Sequence, residues 1–312
     1  MAVDRVSSRP EADPQGRVAC GALPALQERV AARRCERIRM GNVWFDRLTF
    51  AEALDAIERL VEAAAGGAVF TPNVDHVVQA ETDPAFRGAY ARASLNLVDG
   101  QPPVWASRII GPALPEKISG SDLVEPLMKR ASERGWRVFL LGGLPGTAVK
   151  AAARFAAQGV TIAGIEDGQV GLFDGPSLVR RIATARPDLV LVALGAPKQE
   201  LWIDAHSDLL APAVALGIGA SLDFIAGAVQ RAPRWMQRAG LEWLYRLARE
   251  PRRLMHRYLW KDPRFVAILL RTWLSPRHTR WLPPQPDQGH ADGANANPRI
   301  RASRRPGPDA LG

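Results

Sequence analysis

Two periods alternate along the middle of the chain. Stretches with apolar residues three and four apart predict amphipathic helices, and short unbroken apolar runs between them predict strands buried on both sides. The helical pattern of Thr49–Ala65 precedes the run Ala68–Thr71, and that of Val74–Ala93 precedes Leu95–Val98. Ser121–Arg134 leads to Val138–Leu141, Pro145–Ala157 to Val160–Gly164, Ser177–Ala185 to Leu189–Leu194, and Pro197–Leu210 to Ala213–Ile218. Such an order predicts an α/β fold: a Rossmann-like, largely parallel sheet with helices on both faces, over residues 38–230. Residues 1–37 show no sustained period and residues 282–312 are rich in Pro, Gly, Asn and Asp, so a disordered leader and tail are expected.

The segment 231–281 differs from the rest in charge. Residues 1–230 hold 24 Lys+Arg against 26 Asp+Glu, whereas residues 231–280 hold 13 against 3 and account for the net charge of +9. Trp235, Trp243, Trp260, Trp273, Tyr245 and Tyr258 lie among these cations. Ala232–Arg249 has a helical period that Pro251 ends, and Arg253, Arg257, Lys261 and Arg264 open a second basic stripe. A basic, indole-rich helical appendage prefers polyanions: nucleic acid, phosphorylated substrates or an anionic membrane surface. The alternative is a solvated helical face packed on the core.

Length and composition narrow the class. A chain of 312 residues with 47% hydrophobic content can bury a full core, which excludes a fibre or a disulfide-stapled miniprotein. Cys20 and Cys35 form no metal-ligand pattern and fit a reducing compartment. No run reaches the roughly 18 apolar residues of a spanning helix, and the charged N-terminal stretch lacks the apolar core of a secretory signal.

The unusual residues gather at the carboxyl ends of the predicted strands, where open α/β sheets bind ligands. Thr71-Pro72-Asn73 leaves a strand and enters a helix, so Thr71 and Asn73 can hydrogen-bond a sugar or nucleotide, although Asn73 also suits simple helix capping. Asp99 ends an apolar run ahead of Gly100; its carboxylate can take a proton from a sugar hydroxyl, or serve only the turn. Gly142 and Gly143, in Leu141-Gly142-Gly143-Leu144-Pro145-Gly146, suggest close backbone approach to phosphate at a helix start. Lys198 and Gln199 offer a cation and an amide at another helix start, and Lys117 a second cation; surface lysines are the plain alternative. The chain has no Asp-x-Asp pair of the kind that holds a divalent ion on a sugar nucleotide, so fixed donors and cations are expected to stabilise a leaving diphosphate.

Six segments, in this order, resemble the WecG/TagA/CpsF family of bacterial glycosyltransferases (glycosyltransferase family 26): Thr71-Pro72-Asn73, Val98-Asp99-Gly100, Gly120-Ser121-Asp122-Leu123, Leu140-Leu141-Gly142-Gly143, Leu194-Gly195-Ala196-Pro197-Lys198-Gln199-Glu200, and Arg231-Ala232-Pro233 through Leu241-Glu242-Trp243-Leu244-Tyr245-Arg246-Leu247. The resemblance spans roughly residues 40–260. It implies inverting, metal-independent transfer of a hexose, an N-acetylhexosamine or its uronate from a UDP-sugar to an undecaprenyl-diphosphate-linked saccharide. That is a step in building exopolysaccharide, capsule, teichoic acid or common antigen at the cytoplasmic face of the membrane. No cofactor is expected. Carried over by motif, Asp99 becomes the candidate base, with Thr71 beside it as a catalytic residue, and Asn73 and Gln199 line the donor or acceptor pocket. Lys117 stands where the family commonly has arginine, which keeps the charge but loses the bidentate fork. Arg231, Arg246 and Arg253 are the expected phosphate contacts of the appendage, which is expected to approach the membrane or, without one, to pack on a neighbouring subunit. The competing class is a non-catalytic nucleotide- or nucleic-acid-binding protein; it leaves the strand-end motifs unexplained, and no nucleic-acid partner is expected.

Overall fold

The structure is a computed structural model that describes residues 35–167, 175–233, 235, 236, 242–249, 262–276, 279, 281 and 282. Two short strands, β1 (Arg37–Met40) and β2 (Val43–Asp46), form an antiparallel hairpin that the sequence reading did not anticipate. Helix α1 (Phe50–Glu62) follows, opened by a reciprocal capping box in which Thr49 and Glu52 satisfy each other's backbone N–H. Strand β3 is Gly67–Phe70, and the single helix expected over Val74–Ala93 is two, α2 (Val74–Thr82) and α3 (Pro84–Arg92). Pro84 sets the break: it has no N–H for α2 to use, and Asp83, held extended before it, caps α3.

Strand β4 is only Leu95–Asn96, and α4 (Gln101–Ile110), also unanticipated, starts directly after Asp99-Gly100. Then come α5 (Gly120–Arg134), β5 (Arg137–Gly142), α6 (Thr147–Ala157), β6 (Thr161–Asp167), α7 (Gly175–Ala185), β7 (Leu189–Ala193), α8 (Lys198–Leu210), β8 (Val214–Gly217) and α9 (Ser221–Ile225). The basic segment supplies α10 (Glu242–Arg249), α11 (Asp262–Leu274) and β9 (Trp281–Leu282).

Strands β4-β3-β8-β7-β5-β6 form one six-stranded sheet, parallel at every pairing, and β2-β1-β9 form a small antiparallel sheet. Alternate residues of the strands enter opposite cores. Val190 and Val192 lie with α2, α3, α4, α7, α8 and α11 on one face, while Leu189 and Leu191 lie with α1, α5 and α6 on the other. The faces follow from topology: connections that step toward β4 carry their helices on the first face, and those that step toward β6 carry α5 and α6 on the second, as a single crossover hand requires, while α4, in the β4-to-β5 connection, packs back on the first face before α5 crosses.

The last part of the basic segment is woven into the body. Phe265 and Ile268 of α11 are buried in the first core, Gly41 N–H donates to Thr272 Oγ1 at 3.0 Å, and β9 pairs with β1.

Candidate active site

The extended segment beyond β3 runs beside the one beyond β4. Leu97 N–H donates to Phe70 O at 2.8 Å and Asp99 N–H to Pro72 O at 2.9 Å, which sets Asp99 against Thr71-Pro72-Asn73. Ile118 N–H donates to Val98 O at 2.7 Å, so Lys117 arrives at the same place from the loop before α5. Gly120, the first residue of α5, lies so close under the end of β8 that a Cβ there would fall 3.2 Å from Ile218 Cα and 3.5 Å from Thr71 Oγ1. Thr71, Asn73, Asp99 and Lys117 therefore share one corner of the sheet edge, formed by β3, β4 and β8.

Among these side chains, Asn73 and Lys117 have partners within the protein. Asn73 Oδ1 accepts from Asp75 N–H at 3.0 Å and His76 N–H at 3.4 Å, so it does cap α2. Lys117 Nζ lies 3.4 Å from Asp122 Oδ2 and 3.8 Å from Glu242 Oε2. Arg231 Nη1 lies 2.7 Å from Asp122 Oδ1, its Nε 3.3 Å from Glu242 Oε1, and its Nη2 reaches Ser119 Oγ at 3.5 Å. Two cations thus interleave with two carboxylates, and α10 is tied to the start of α5. Burial pushes the Asp122 carboxyl up, but the bond from Arg231 and the charge of Lys117 outweigh it and hold the group below its ordinary value.

Gln199 approaches from α8. Its Oε1 accepts from Gly219 N–H at 3.0 Å and its Nε2 donates to Glu200 Oε1 at 2.9 Å, and both side chains are buried. Its amide already bridges α8 to the loop after β8, whereas Lys198 beside it is exposed. Ser121 Oγ and Ser221 Oγ, 3.0 Å apart, join α5 to α9 along the same edge.

Gly142 and Gly143 serve a different purpose from the one their sequence suggested. At Gly142, with φ of +93°, a Cβ would lie 2.7 Å from Ala193 O; at Gly143 it would lie 3.2 Å from Asp223 Oδ1. The space that glycine leaves there is filled by protein. The amides of the following turn are occupied too: Leu144 N–H donates to Asp223 Oδ1 at 2.8 Å, Ala148 N–H to Asp167 Oδ1 at 2.9 Å, and Gly146 N–H to Asp167 Oδ2. Internal carboxylates stand where phosphate was expected. Of the appendage arginines, Arg231 reaches the site, the side chain of Arg246 on α10 is outside the described residues, and so is Arg253.

The sequence matches the glycosyl transferase WecG/TagA/CpsF family over residues 38–279. The chain belongs to this family. It is 35% identical over 208 residues, 66% of this chain and 79% of the relative, to an N-acetylglucosaminyldiphosphoundecaprenol N-acetyl-beta-D-mannosaminyltransferase of Bacillus spizizenii. The protein is therefore a glycosyltransferase, and the non-catalytic reading falls away. Among the described residues no helix is long and apolar enough to cross a membrane.

In this glycosyltransferase, sequence reading missed three carboxylates at the edge and a buried phenol. Asp122 and Glu242 appeared only as motif letters, though Ser119-x-x-Asp122 has the spacing of a helix cap. Glu200 lies 1% exposed on the first turn of α8, with Oε2 buried and without a hydrogen-bond partner; burial pushes its carboxyl up to about 7, against the opposing bond from Gln199. Tyr90, with its hydroxyl 2.9 Å from His76 Nδ1, is pushed up by burial and by the charge of Glu200. The sequence carries no signal that these residues turn inward together.

Proposed function

We propose that this glycosyltransferase moves a sugar from a UDP-sugar to a hydroxyl of an undecaprenyl-diphosphate-linked N-acetylglucosaminyl acceptor, in assembly of a cell-surface polysaccharide. The donor sugar is an N-acetylhexosamine, its uronate or a hexose. The observation that carries the reading is the meeting of Asp99 with Thr71, Asn73 and the Lys117–Arg231 pair at one corner. The relative's acceptor, named as N-acetylglucosaminyl-diphospho-undecaprenol, supports the substrate class.

In this mechanism Asp99 takes the proton of the acceptor hydroxyl as its oxygen bonds to the anomeric carbon, and the bond from that carbon to the UDP oxygen breaks on the opposite side. The configuration inverts. Thr71 and Asn73 orient the sugar hydroxyls. Lys117 and Arg231 offset the charge of the departing diphosphate, a task that fixed cations perform without a metal. The lipid-linked acceptor calls for peripheral association with the inner face of the membrane.

UDP release by the purified chain, with a panel of UDP-sugars and a short-chain polyprenyl-diphosphate saccharide, tests this directly. Acceptor-dependent release that persists in EDTA is the expected result. Asp99→Asn is expected to lower kcat by about 10²- to 10⁴-fold while UDP binding is retained. Full turnover by that variant would remove the base assignment.

A further inference from the structure

Large apolar side chains are exposed in one neighbourhood that the site does not use. On α4, Trp105 is 53% and Ile109 71% exposed, and on α11, Val266 is 65%, Leu270 57%, Trp273 49% and Leu274 71% exposed. The two helices pack against each other. Both bury their opposite sides in the same core, α4 through Val104, Ala106 and Ile110, and α11 through Phe265 and Ile268, so their outer sides face the same way. Trp105 and Ile109 are four residues apart on one stripe of α4, as are Val266 and Leu270 on α11. A patch of this kind on a folded body marks a docking surface.

We propose that the outer faces of α4 and α11 dock this protein on an anionic lipid surface. This inference rests on the lipid-linked acceptor of the preceding section and extends membrane contact from the basic segment, to which α11 belongs, to α4 of the catalytic body. Charge selects the occupant. Helix α4 contains no acidic residue and exposes Arg108; α11 exposes Arg264 and Arg271, the latter also paired with Glu81 at 2.6 Å. A second copy related by a twofold axis would set these arginines against each other, whereas anionic headgroups complement them. Indoles at the edge of an apolar face suit the headgroup boundary, where the ring is half immersed and its N–H stays wet.

The placement relative to the chemistry follows from helix geometry. Gly100 caps α4, so Asp99 is the last residue before the helix that carries the patch. At 1.5 Å per residue, Trp105 and Ile109 lie within about 15 Å of Asp99 along the axis. A base that close to side chains at the acyl boundary stands at the depth of a lipid diphosphate and its first sugars. Docking through α4 therefore sets the height of the base over the acceptor.

The test uses the full chain, the paired variant Trp105→Ser with Ile109→Ser, and sedimentation with vesicles of phosphatidylcholine containing about 30 mol % phosphatidylglycerol, a composition that supplies the anionic surface. The paired variant is expected to bind vesicles roughly 30-fold more weakly, with UDP binding unchanged and transfer to a water-soluble short-chain acceptor unchanged. Transfer to an acceptor embedded in the vesicles is expected to fall in parallel. Arg108→Glu, which leaves the apolar residues in place, is expected to weaken binding to the anionic vesicles and not to pure phosphatidylcholine. Wild-type vesicle binding by the paired variant would overturn the proposal while leaving membrane association through other residues standing. A change in sedimentation coefficient with vesicle binding intact would assign the patch to a second copy instead. Absence of vesicle binding by the wild-type chain would overturn the proposal together with the membrane half of the functional reading; transfer to the soluble acceptor would then report separately on the chemistry.

Discussion

The two cations assigned to the leaving diphosphate are engaged by the protein's own carboxylates, and this makes Glu242→Gln the most informative single change. Glu242 meets Arg231 at 3.3 Å and Lys117 at 3.8 Å, with side-chain exposures of 20% for Glu242 and Arg231 and 17% for Lys117. These pairs are too sheltered to be screened as strongly as surface ion pairs are. At an effective dielectric near 20, each attraction is about 4–5 kcal/mol before desolvation is subtracted. The net coupling of such partly buried pairs is nearer 1–2 kcal/mol. A diphosphate that uses the same cations must displace Glu242 and lose that coupling. Removing the carboxylate charge is thus expected to tighten UDP binding by about 5- to 30-fold, the same energy expressed as affinity. Calorimetric titration with UDP at two salt concentrations reads the effect, and the gain is expected to shrink as salt rises. Lys117→Met and Arg231→Met are the controls, each expected to weaken UDP. Unchanged or weaker binding by Glu242→Gln, with both controls weakened, would refute the exchange and leave Glu242 as an anchor of α10 alone.

Three further outcomes follow from the geometry. Because the Glu200 carboxyl titrates at about 7 in the folded chain against an ordinary 4.5, the folded state holds the proton more tightly between those values. Stability therefore falls as pH rises through that window, by up to about 3 kcal/mol; urea denaturation from pH 5 to 8 should show Glu200→Gln gaining on the wild type as pH rises, and a constant difference would refute this. Gly142→Ala places a Cβ 2.7 Å from Ala193 O at a φ of +93° and is expected to cost about 2 kcal/mol or more in denaturant unfolding. Asn73→Ser preserves a good cap, so its stability is expected within about 0.5 kcal/mol of wild type; a drop in transfer rate at that stability would show that the Asn73 amide also meets substrate, and wild-type turnover would leave it a cap.

The six-stranded sheet was legible because its strands are unbroken apolar runs, as in Leu189–Ala193, and the corner around Asp99 was legible because parallel strands deliver their ends to one edge. The omissions have local causes. Pro102 and Pro103 disguise α4, yet they fall in its first turn, where a missing N–H has no intrahelical partner to lose. In the hairpin, Arg37 and Arg39 alternate with Ile38 and Met40 over strands of only four residues, too short to register beside the charged stretch before them. The Gly142-Gly143 pair shows a different limit. Sequence reveals that a Cβ is excluded there, and only the fold reveals that Ala193 O and Asp223, rather than a ligand, exclude it.

That distinction also separates two carboxylate sets at the sheet edge. Asp223 is 9% exposed and accepts from Leu144 N–H and from Thr147 Oγ1, itself buried; with Asp167 on the next amides, it completes the start of α6. An anion that took the Leu144 N–H would leave the buried Asp223 carboxylate without that donor, at a cost of about 1–3 kcal/mol or more for a charged group. Asp122 and Glu242 are more open, with side chains 30% and 20% exposed, and their partners are side-chain cations that keep a charged partner when a diphosphate takes the place of a carboxylate. An incoming anion can therefore exchange with the second set far more readily than with the first. In the proposed mechanism the phosphates therefore go to the Lys117–Arg231 corner, beside Asp99, rather than over the glycine turn.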